Sequence, residues 1–202
     1  MNSIIDIRSD FAEYKKVFLE ENSKHNLISR NDEQFLYEKH IYDSLSIKLF
    51  FDKYGSNFKT LLDIGCGGGF PCIPIAIEFP DMSITGLDSI NKKISSVEHI
   101  KQELNLNNLN LVCERAENLH DVKFDIVVSR AVADLTKISI YAAPFMDKKS
   151  VFIAYKSIKA NEEISSALPT LNKLGLKIFD TIKYTLPTEE MHERNLICIK
   201  RY

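Results

Sequence analysis

The spacing of hydrophobic residues changes near residue 59 and divides the chain into two kinds of pattern. Before that point, apolar residues recur every three to four positions, which predicts an amphipathic helix. The apolar positions of this helix include Phe11, Tyr14, Phe18 and Leu19. A second helical pattern runs from about Asp32 to Tyr54, with Asn31 or Asp32 as its expected N-cap. Residues 1–57 are therefore expected to form an N-terminal helical extension.

From Lys59 onward, short β-rich runs alternate with helical ones. The runs are TLLDI, SITGLD, LNLVCE, FDIVVSR and SVFIAYK. This alternation predicts an α/β fold, a mostly parallel sheet with helices on both faces. The last runs, LKIFDTIKYTL and RNLICIKRY, flank a loop with Pro187 and predict a closing antiparallel hairpin. We expect one domain over residues 1–202, with its core in residues 58–202.

A glycine-rich loop follows the first predicted strand, directly after Asp63. Four of the seven glycines fall within five residues: Gly65, Gly67, Gly68 and Gly69. A glycine loop between a strand and a helix is typical of a nucleotide-type cofactor site. A dinucleotide fingerprint begun at Gly65 would need a glycine where Phe70 stands, and no GKS or GKT follows. The motif therefore disfavours both NAD and a phosphate-binding P-loop.

Further candidate ligands follow the later strands, because parallel strands bind ligands at their carboxyl ends. They are Asp88 and Ser89 after the second run, Ala116 and Glu117 after the third, and Ser129, Arg130 and Asp134 after the fourth. An acid before the glycine loop and another after the second strand resemble the S-adenosylmethionine site of class I methyltransferases. There the second acid accepts hydrogen bonds from the ribose. A helix cap at Asp88, or a glycine turn without any ligand, are the structural alternatives.

The segment SRAVADL after the fourth run narrows the choice of methyl acceptor. It holds neither the N- or D-PP-aromatic motif usual for exocyclic amines nor the cysteine that pyrimidine carbon requires. A ring nitrogen such as guanine N7 needs no base, and positioning alone contributes roughly 7–11 kcal/mol. Arg130 would repel a sulfonium, so we expect it to meet a phosphate, a base edge or the cofactor carboxylate. The structural alternative is an ion pair with Asp134 or Glu117.

The net charge of the chain bears on whether nucleic acid can be a partner. With 26 basic and 28 acidic residues, the formal charge of −2 provides no global attraction to nucleic acid. RNA contact must therefore come from a local patch, for which we expect Lys156, Arg194, Lys200 and Arg201.

Cysteine spacing and hydropathy indicate the compartment. No CxxC pair or zinc-like spacing with histidine occurs, so we expect no metal and four buried free thiols in a reducing environment: Cys66, Cys72, Cys113 and Cys198. No apolar run reaches membrane length and no leader pattern precedes the first helix, so we expect a cytoplasmic protein with no membrane partner. No heptad or long edge strand favours a dimer, so we expect a monomer.

Taken together, these motifs resemble the RsmG family of small-subunit rRNA guanine-N7 methyltransferases, also known as the glucose-inhibited division protein B family. The resemblance rests on HNLIS, KHIYDSL, DIGCGGGFPCIPIAI, LDSINKK, RAENL, VVSRAVADL, AYK and ERNLICIK. It implies a class I, Rossmann-like, S-adenosylmethionine-dependent methyltransferase. The implied target is N7 of a guanine in 16S rRNA, guanine 527 in the reference rRNA numbering. The implied partner is the small ribosomal subunit or its assembly intermediate.

The same resemblance implies roles for individual residues. The implied cofactor positions are Gly65, Phe70, Ala116, Glu117 and Arg130, with Asp88 and Ser89 near the ribose and adenine. The glycine loop itself adds Asp63, Gly67 and Gly69 as cofactor-binding candidates. Those implied for the rRNA side are Asn26, His40, Asp43, Ser44, Pro71, Lys156 and Arg194. No acid or base is assigned, and the positioning candidates are His40, Asp43, Arg130, Lys156 and Arg194. A plain surface pair of His40 with Asp43 is the alternative for these two.

Departures from the family pattern stand at Ile28, Cys72 and Ser157, where relatives often have Thr, Gly and Gly. Cys72 matters most, because a side chain at this position could narrow the loop beside the cofactor, and we still expect the cofactor to bind. Two other functions stay open at this point: a non-catalytic ribosome assembly factor, and a nicotinamide-dependent oxidoreductase.

Overall fold

Seven strands form one mixed sheet in the computed structural model, which describes residues 9–119 and 121–202. In chain order the strands are β1 (Thr60–Ile64), β2 (Ser83–Asp88), β3 (Leu109–Cys113), β4 (Ile126–Arg130), β5 (Val151–Lys156), β6 (Leu176–Thr185) and β7 (Glu193–Arg201). They lie in the order β3-β2-β1-β4-β5-β7-β6. The first five are parallel, and β7 runs antiparallel to both β5 and β6. Every strand predicted from the sequence is confirmed.

Seven α-helices lie among the described residues. They are α1 (Ala12–His25), α2 (Tyr42–Leu45), α3 (Ile47–Tyr54), α4 (Cys72–Glu78), α5 (Asn91–Glu103), α6 (Leu135–Ala142) and α7 (Ala160–Lys173). Short 3₁₀ turns also occur at Arg30–Phe35, Ala116–Asn118 and Ala143–Phe145. No helix in the described ranges has both the length and the apolar character needed to cross a bilayer.

Both faces of the central strands β1, β4 and β5 are buried, which explains why these strands are largely apolar in sequence. Along β5, Ile153 and Tyr155 belong to one core while Phe152 and Ala154 belong to the other. Helices α1 to α5 cover the first face, and α6 and α7 cover the second. The predicted extension is therefore packed into the same core as the sheet, with Phe18 completely buried.

The second predicted helix is wrong as a continuous element. A 3₁₀ turn, a π-helical segment at Leu36–Ile41 and then α2 and α3 occupy this region. Its cap is Ser29, whose hydroxyl accepts the N–H of Asp32, rather than Asn31 or Asp32. The π segment has a physical reason, because the Lys39 carbonyl accepts a hydrogen bond from Arg130 at 3.1 Å.

Two further expectations need correction. Cys66, Cys72 and Cys198 are buried, but Cys113 at the end of β3 is exposed. The argument for a monomer assumed no long edge strand, and β6, with ten residues, is one. A bulge between Ile178 and Asp180 and the exposed Lys183 disfavour pairing of this edge with another strand.

Candidate functional site

Two cavities open at the carboxyl ends of the parallel strands, where the strand order reverses between β1 and β4. The Asp88 cavity, about 440 Å³, is lined by predicted site residues Gly65, Asp88, Ser89, Ala116 and Glu117. The Arg130 cavity, about 780 Å³, is lined by predicted site residues His40, Asp43, Arg130, Lys156 and Arg194. Asp134 also lines the Arg130 cavity. The remaining predicted residues line neither cavity: Asn26, Ser44, Asp63, Gly67, Gly69, Phe70, Pro71 and Ser129.

The glycine loop requires glycine at specific positions. Gly65, Gly67 and Gly69 adopt φ values of +75°, +56° and +93°, which side-chain-bearing residues rarely adopt. A Cβ on Gly65 would stand 2.3 Å from Cγ2 of Val132, and one on Gly69 would stand 2.4 Å from Cδ1 of Ile73. Gly65 thus brings backbone to the cavity wall, while Gly69 allows α4 to pack beneath the loop.

Asp88 joins the glycine loop to the helix that follows β2. Its Oδ2 accepts the Gly67 N–H at 3.0 Å, and its Oδ1 accepts the Ile90 N–H at 2.9 Å, just before α5. Asp88 therefore does cap the start of α5, as the structural alternative held. The carboxylate can still accept further hydrogen bonds, because each oxygen has two lone pairs. The side chain is 9% exposed at the cavity wall. It can still accept hydrogen bonds from a ligand.

The Asp88 cavity fits S-adenosylmethionine. Its volume lies in the range of about 300–1,000 Å³ typical of small-molecule sites. Asp88 offers acceptors for ribose hydroxyls, and Gly65 and Ala116 present little or no side chain at the wall. Acidic side chains at the wall outnumber basic ones, which suits a cationic sulfonium: Asp88, Glu114 and Glu117 against Lys93 and Arg115.

Asp63 lies beneath the loop rather than at a cavity wall. It is completely buried, its Oδ2 accepts the Cys72 N–H at 3.1 Å, and its Oδ1 has no partner among the described residues. Burial raises the pKa of Asp63 to about 7, against the opposing effect of the Cys72 N–H. Asp63 therefore supports the start of α4.

Cys72 does not narrow the loop beside the Asp88 cavity. Its side chain is fully buried and faces Gly86 of β2, since a Cβ there would stand 3.2 Å from Cys72 Sγ and 3.3 Å from Cys66 Sγ. The expectation for Cys72 is wrong because the first turn of α4 directs this position into the core. Gly86 provides the space that the two sulfurs occupy.

The pKa values of Asp63 and His40 affect how stability depends on pH. The raised pKa of Asp63 means that its contribution is present below pH 3.8 and is lost as pH rises to about 7. Burial, followed by Arg130, lowers the pKa of His40 from 6.5 to about 4, so its contribution is lost as pH falls through that range. Between about pH 4 and 6.5 the two effects oppose each other.

Asp63→Asn is therefore expected to unmask the His40 effect. Relative to the wild type, its free energy of unfolding should rise with pH by up to about 1.4 kcal/mol per unit between pH 4 and 6.5. Urea unfolding at pH 4.5 and 6.5 measures the difference. His40→Gln is the control and should change the slope in the opposite direction. Identical slopes in Asp63→Asn and the wild type would contradict the assignment.

Arg130 is the centre of a buried polar cluster in the Arg130 cavity. Its Nη1 donates to Asp43 Oδ2 at 2.8 Å, and its Nη2 lies 2.9 Å from His40 Nδ1. Tyr184 of β6 donates to the other Asp43 oxygen at 2.5 Å. Arg130 thus forms an ion pair, as the structural alternative held, but its partner is Asp43 of α2 rather than Asp134 or Glu117. His40 and Asp43 are likewise no plain surface pair.

The protonation of His40 follows from these contacts. A guanidinium only donates, so His40 Nδ1 must accept and the proton resides on Nε2. With a pKa of about 4, the ring is neutral at physiological pH. Its Nε2 is buried and has no partner among the described residues.

The ring of Phe70 also packs against the Arg130 guanidinium. The guanidinium carbon of Arg130 lies 5.3 Å from the Phe70 ring centroid, and the Phe70 and His40 centroids are 4.9 Å apart. Phe18 of α1 packs edge-on against Phe70 at 5.0 Å. Phe70 thus acts through Arg130 and α1, which explains why it stands where a dinucleotide fingerprint would need glycine.

Lys156 is held by internal partners. Its Nζ contacts Glu163 Oε2 at 2.7 Å and donates to the Ala133 carbonyl at 2.6 Å, while Glu163 also accepts the Leu135 N–H. Lys156 thereby fixes the segment between β4 and α6. Arg194, by contrast, has no carboxylate partner among the described residues and donates only to the Glu193 carbonyl at 3.3 Å.

The expected four-residue basic patch is wrong. In the antiparallel pairing of β5 with β7, Lys156 lies opposite Asn195, whereas Lys200 lies opposite Val151 at the other end of the strand. Arg201 is occupied in any case, donating to three backbone carbonyls. Of the four residues expected in the patch, only Lys156 and Arg194 line the Arg130 cavity.

The other residues predicted for the rRNA side have structural positions. Asn26 ends α1 in the left-handed conformation, at φ +49°. Ser44 is buried, and its hydroxyl donates to the His40 carbonyl at 2.6 Å. Pro71 directly precedes α4. At the two other departures, the Ile28 N–H donates to Asn22 and the Ser157 carbonyl accepts from Asn195.

Some residues of the site were missed from the sequence, namely Tyr184, Glu163 and Val132. Tyr184 is 141 residues from its partner Asp43, so no local spacing could have indicated the contact. Val132 lay within the SRAVADL segment, and its place beside a strand end was the available signal.

Comparisons with known proteins show which family the sequence matches. A sequence profile of the GidB family, described as rRNA small subunit methyltransferase G, matches residues 7–191. The chain is 38% identical over 198 residues to the ribosomal RNA small subunit methyltransferase G of Staphylococcus epidermidis, covering 96% of this chain and 82% of that protein. The protein of that name from Limosilactobacillus fermentum is 37% identical over 200 residues, with the same coverage.

Solved structures support the fold. M. jannaschii TYW2 in complex with AdoMet matches with a TM-score of 0.61 and 15% identity, over 79% of this chain and 77% of that one. The ribosomal protein L11 methylase from Lactobacillus delbrueckii subsp. bulgaricus matches with a TM-score of 0.61 and 14% identity, over 79% of each chain. The predicted class I, Rossmann-like methyltransferase fold is thereby confirmed.

Proposed function

Because the chain belongs to the rRNA small subunit methyltransferase G family, we propose that it methylates N7 of a guanine in 16S rRNA, guanine 527 in the reference numbering. Methylation of ribosomal RNA with S-adenosylmethionine is the family's activity, so the nicotinamide-dependent alternative is wrong. The proposed partner is the small ribosomal subunit or its assembly intermediate, bound by a monomer. That partner puts the proposed activity in the cytoplasm.

The observation that carries the proposal is the pair of adjoining cavities, one suited to the cofactor and one to a base. The Arg130 cavity is lined by four cations and four acids: Lys39, Arg130, Lys156 and Arg194, and Asp32, Asp43, Asp134 and Glu163. Three of the cations are paired internally with acids. Such a balanced wall favours an uncharged planar base over a phosphate.

The chain's own residues support methylation of a ring nitrogen. When bound, S-adenosylmethionine would supply a methyl group on its sulfonium. The N7 lone pair would form the new bond to that methyl carbon as the carbon–sulfur bond breaks and its electron pair stays on sulfur, so the positive charge would move to the guanine. No proton leaves N7, so no general base is required. His40 is neutral and is a weak base, because its pKa is about 4 and its Nδ1 lone pair already accepts from Arg130. The pocket's contribution is orientation and exclusion of water.

The proposal is tested by methyl transfer to purified small subunits from a strain that lacks this gene. The protein with labelled S-adenosylmethionine is expected to label 16S rRNA, with naked 16S rRNA and large subunits compared in parallel. Binding to subunits without any transfer would indicate the assembly-factor alternative instead.

Arg194 is the cation that we propose for phosphate contact, since it has no acidic partner among the described residues. Arg194→Ala is expected to reduce the slope of log affinity against log salt concentration by about 0.7–0.9, the value for one phosphate contact. Lys156→Ala should leave this slope unchanged, because Glu163 already neutralises that ammonium. Filter binding at several salt concentrations measures both slopes. Equal reductions in the two variants would contradict the distinction between them.

A further inference from the structure

The two cavities share only two of their described lining residues, Ala131 and Val132. These residues follow β4 directly, at the point where the strand order reverses. Any group that moves from the Asp88 cavity to the Arg130 cavity must therefore pass this turn.

Val132 packs directly against Gly65, the residue that follows β1. The three atoms nearest to a Cβ built on Gly65 all belong to its side chain, at 2.3, 3.2 and 3.4 Å. The Val132 side chain thus lies on the Gly65 backbone. It is nevertheless 41% exposed, because its other side faces the cavities. An exposed β-branched residue with a fixed position is suited to guide a substrate by shape.

The turn that carries Val132 is held at both ends. Arg130 precedes it and is fixed by Asp43, and the Ala133 carbonyl after it accepts a hydrogen bond from the Lys156 ammonium. Between them, Ala131 adopts the left-handed conformation at φ +58°. A non-glycine residue persists there only when the surroundings determine it, and such residues concentrate at functional sites.

We propose that Val132 is the steric wall that aligns the acceptor base with the transferable methyl group, and so acts as a specificity-determining residue. The inference rests on the proposed function. The branched side chain of Val132 limits how far the base can slide over the end of β1 toward the cofactor. Truncation to alanine leaves room for misaligned poses, in which a displacement of about 1 Å can cost 100-fold in rate.

The test separates binding from transfer. S-adenosylmethionine affinity is measured by calorimetry, and the rate by single-turnover transfer from the protein–cofactor complex to unmodified small subunits. Val132→Ala is expected to lower the transfer rate by about 10–100-fold while cofactor affinity changes little. Val132→Thr keeps the branched shape and is expected to recover most of the rate. Val122→Ala, at a valine that is 47% exposed and lines neither cavity, is the matched control.

The outcomes distinguish this inference from the function on which it rests. A Val132→Ala rate within about threefold of the wild type, with guanine N7 methylated, overturns the inference alone. An equally slow Val132→Thr also overturns it, since a loss without shape dependence is not alignment. Wild-type transfer to another rRNA atom, with Val132→Ala still slow, supports the inference and overturns the N7 assignment. No transfer by the wild type overturns both.

Discussion

Gly65→Ala is expected to lower the affinity for S-adenosylmethionine at least about tenfold, a loss of about 1.4 kcal/mol or more. The new Cβ would stand 2.3 Å from Val132 Cγ2, a distance that real contacts do not reach. The backbone at φ +75° adds about 1–2 kcal/mol of strain for alanine. Relief of the clash requires Gly65 or Val132 to move, and both line the Asp88 cavity. Calorimetric titration with S-adenosylmethionine measures the loss.

Gly55→Ala is the matched control for this prediction. Gly55 also has a positive φ, +88°, but a Cβ added there would meet nothing within 4 Å. Alanine there should cost about 1–2 kcal/mol of stability and leave cofactor affinity unchanged.

A second substitution tests the clash itself. In Gly65→Ala/Val132→Ala, the two Cγ atoms that approach the new Cβ within 3.2 Å are gone, and the Cβ of residue 132 lies at 3.4 Å, which is ordinary packing. We expect the double variant to regain most of the affinity that Gly65→Ala loses. If the double variant binds as weakly as Gly65→Ala, the clash is not the cause.

Arg130→Met is expected to lower the free energy of unfolding by about 3–5 kcal/mol and to reduce methyl transfer to background. The substitution removes the charge that compensates Asp43, which is 5% exposed and also receives the Tyr184 hydroxyl. It also leaves His40 Nδ1 without its donor and Phe70 without its cation. Urea unfolding gives the stability and the subunit assay gives the transfer.

Charge balance provides the controls. Arg130→Met/Asp43→Asn removes both charges and is expected to be more stable than Arg130→Met alone. Its free energy of unfolding should exceed the value expected from adding the two single substitutions by about 0.5–3 kcal/mol. Arg30→Met, at an exposed arginine, should change stability by no more than about 0.5 kcal/mol. An Arg130→Met protein that loses less than about 1 kcal/mol would place this pair among ordinary surface ion pairs.

The strands and the Asp88 cavity were predictable because their signals are local. A strand that is buried on both faces is an apolar run, and the ligand positions are the few residues that follow each run. Gly65, Asp88 and Ala116 meet these conditions, and all three line one cavity.

The polar cluster around Arg130 was not predictable in the same way. Asp43, Arg130 and Tyr184 come from three segments that only the folded sheet brings together, and the π segment arises because the Lys39 carbonyl turns toward Arg130. A helical periodicity of the sequence contains no sign of that carbonyl. The supposed basic patch failed for a related reason, because Arg194 and Lys200 lie near opposite ends of one long strand, β7, and only the Arg194 end lies beside Lys156.

Mapping the methylated nucleotide is the sharpest test of whether the two adjoining cavities transfer a methyl group to guanine N7. Small subunits from a strain lacking the gene are incubated with the protein and isotope-labelled S-adenosylmethionine, and fragments of 16S rRNA are analysed by mass spectrometry. We expect one labelled methyl group, at N7 of guanine 527. A label on an exocyclic amine or on a pyrimidine carbon, or 16S rRNA without label, would contradict the proposed transfer.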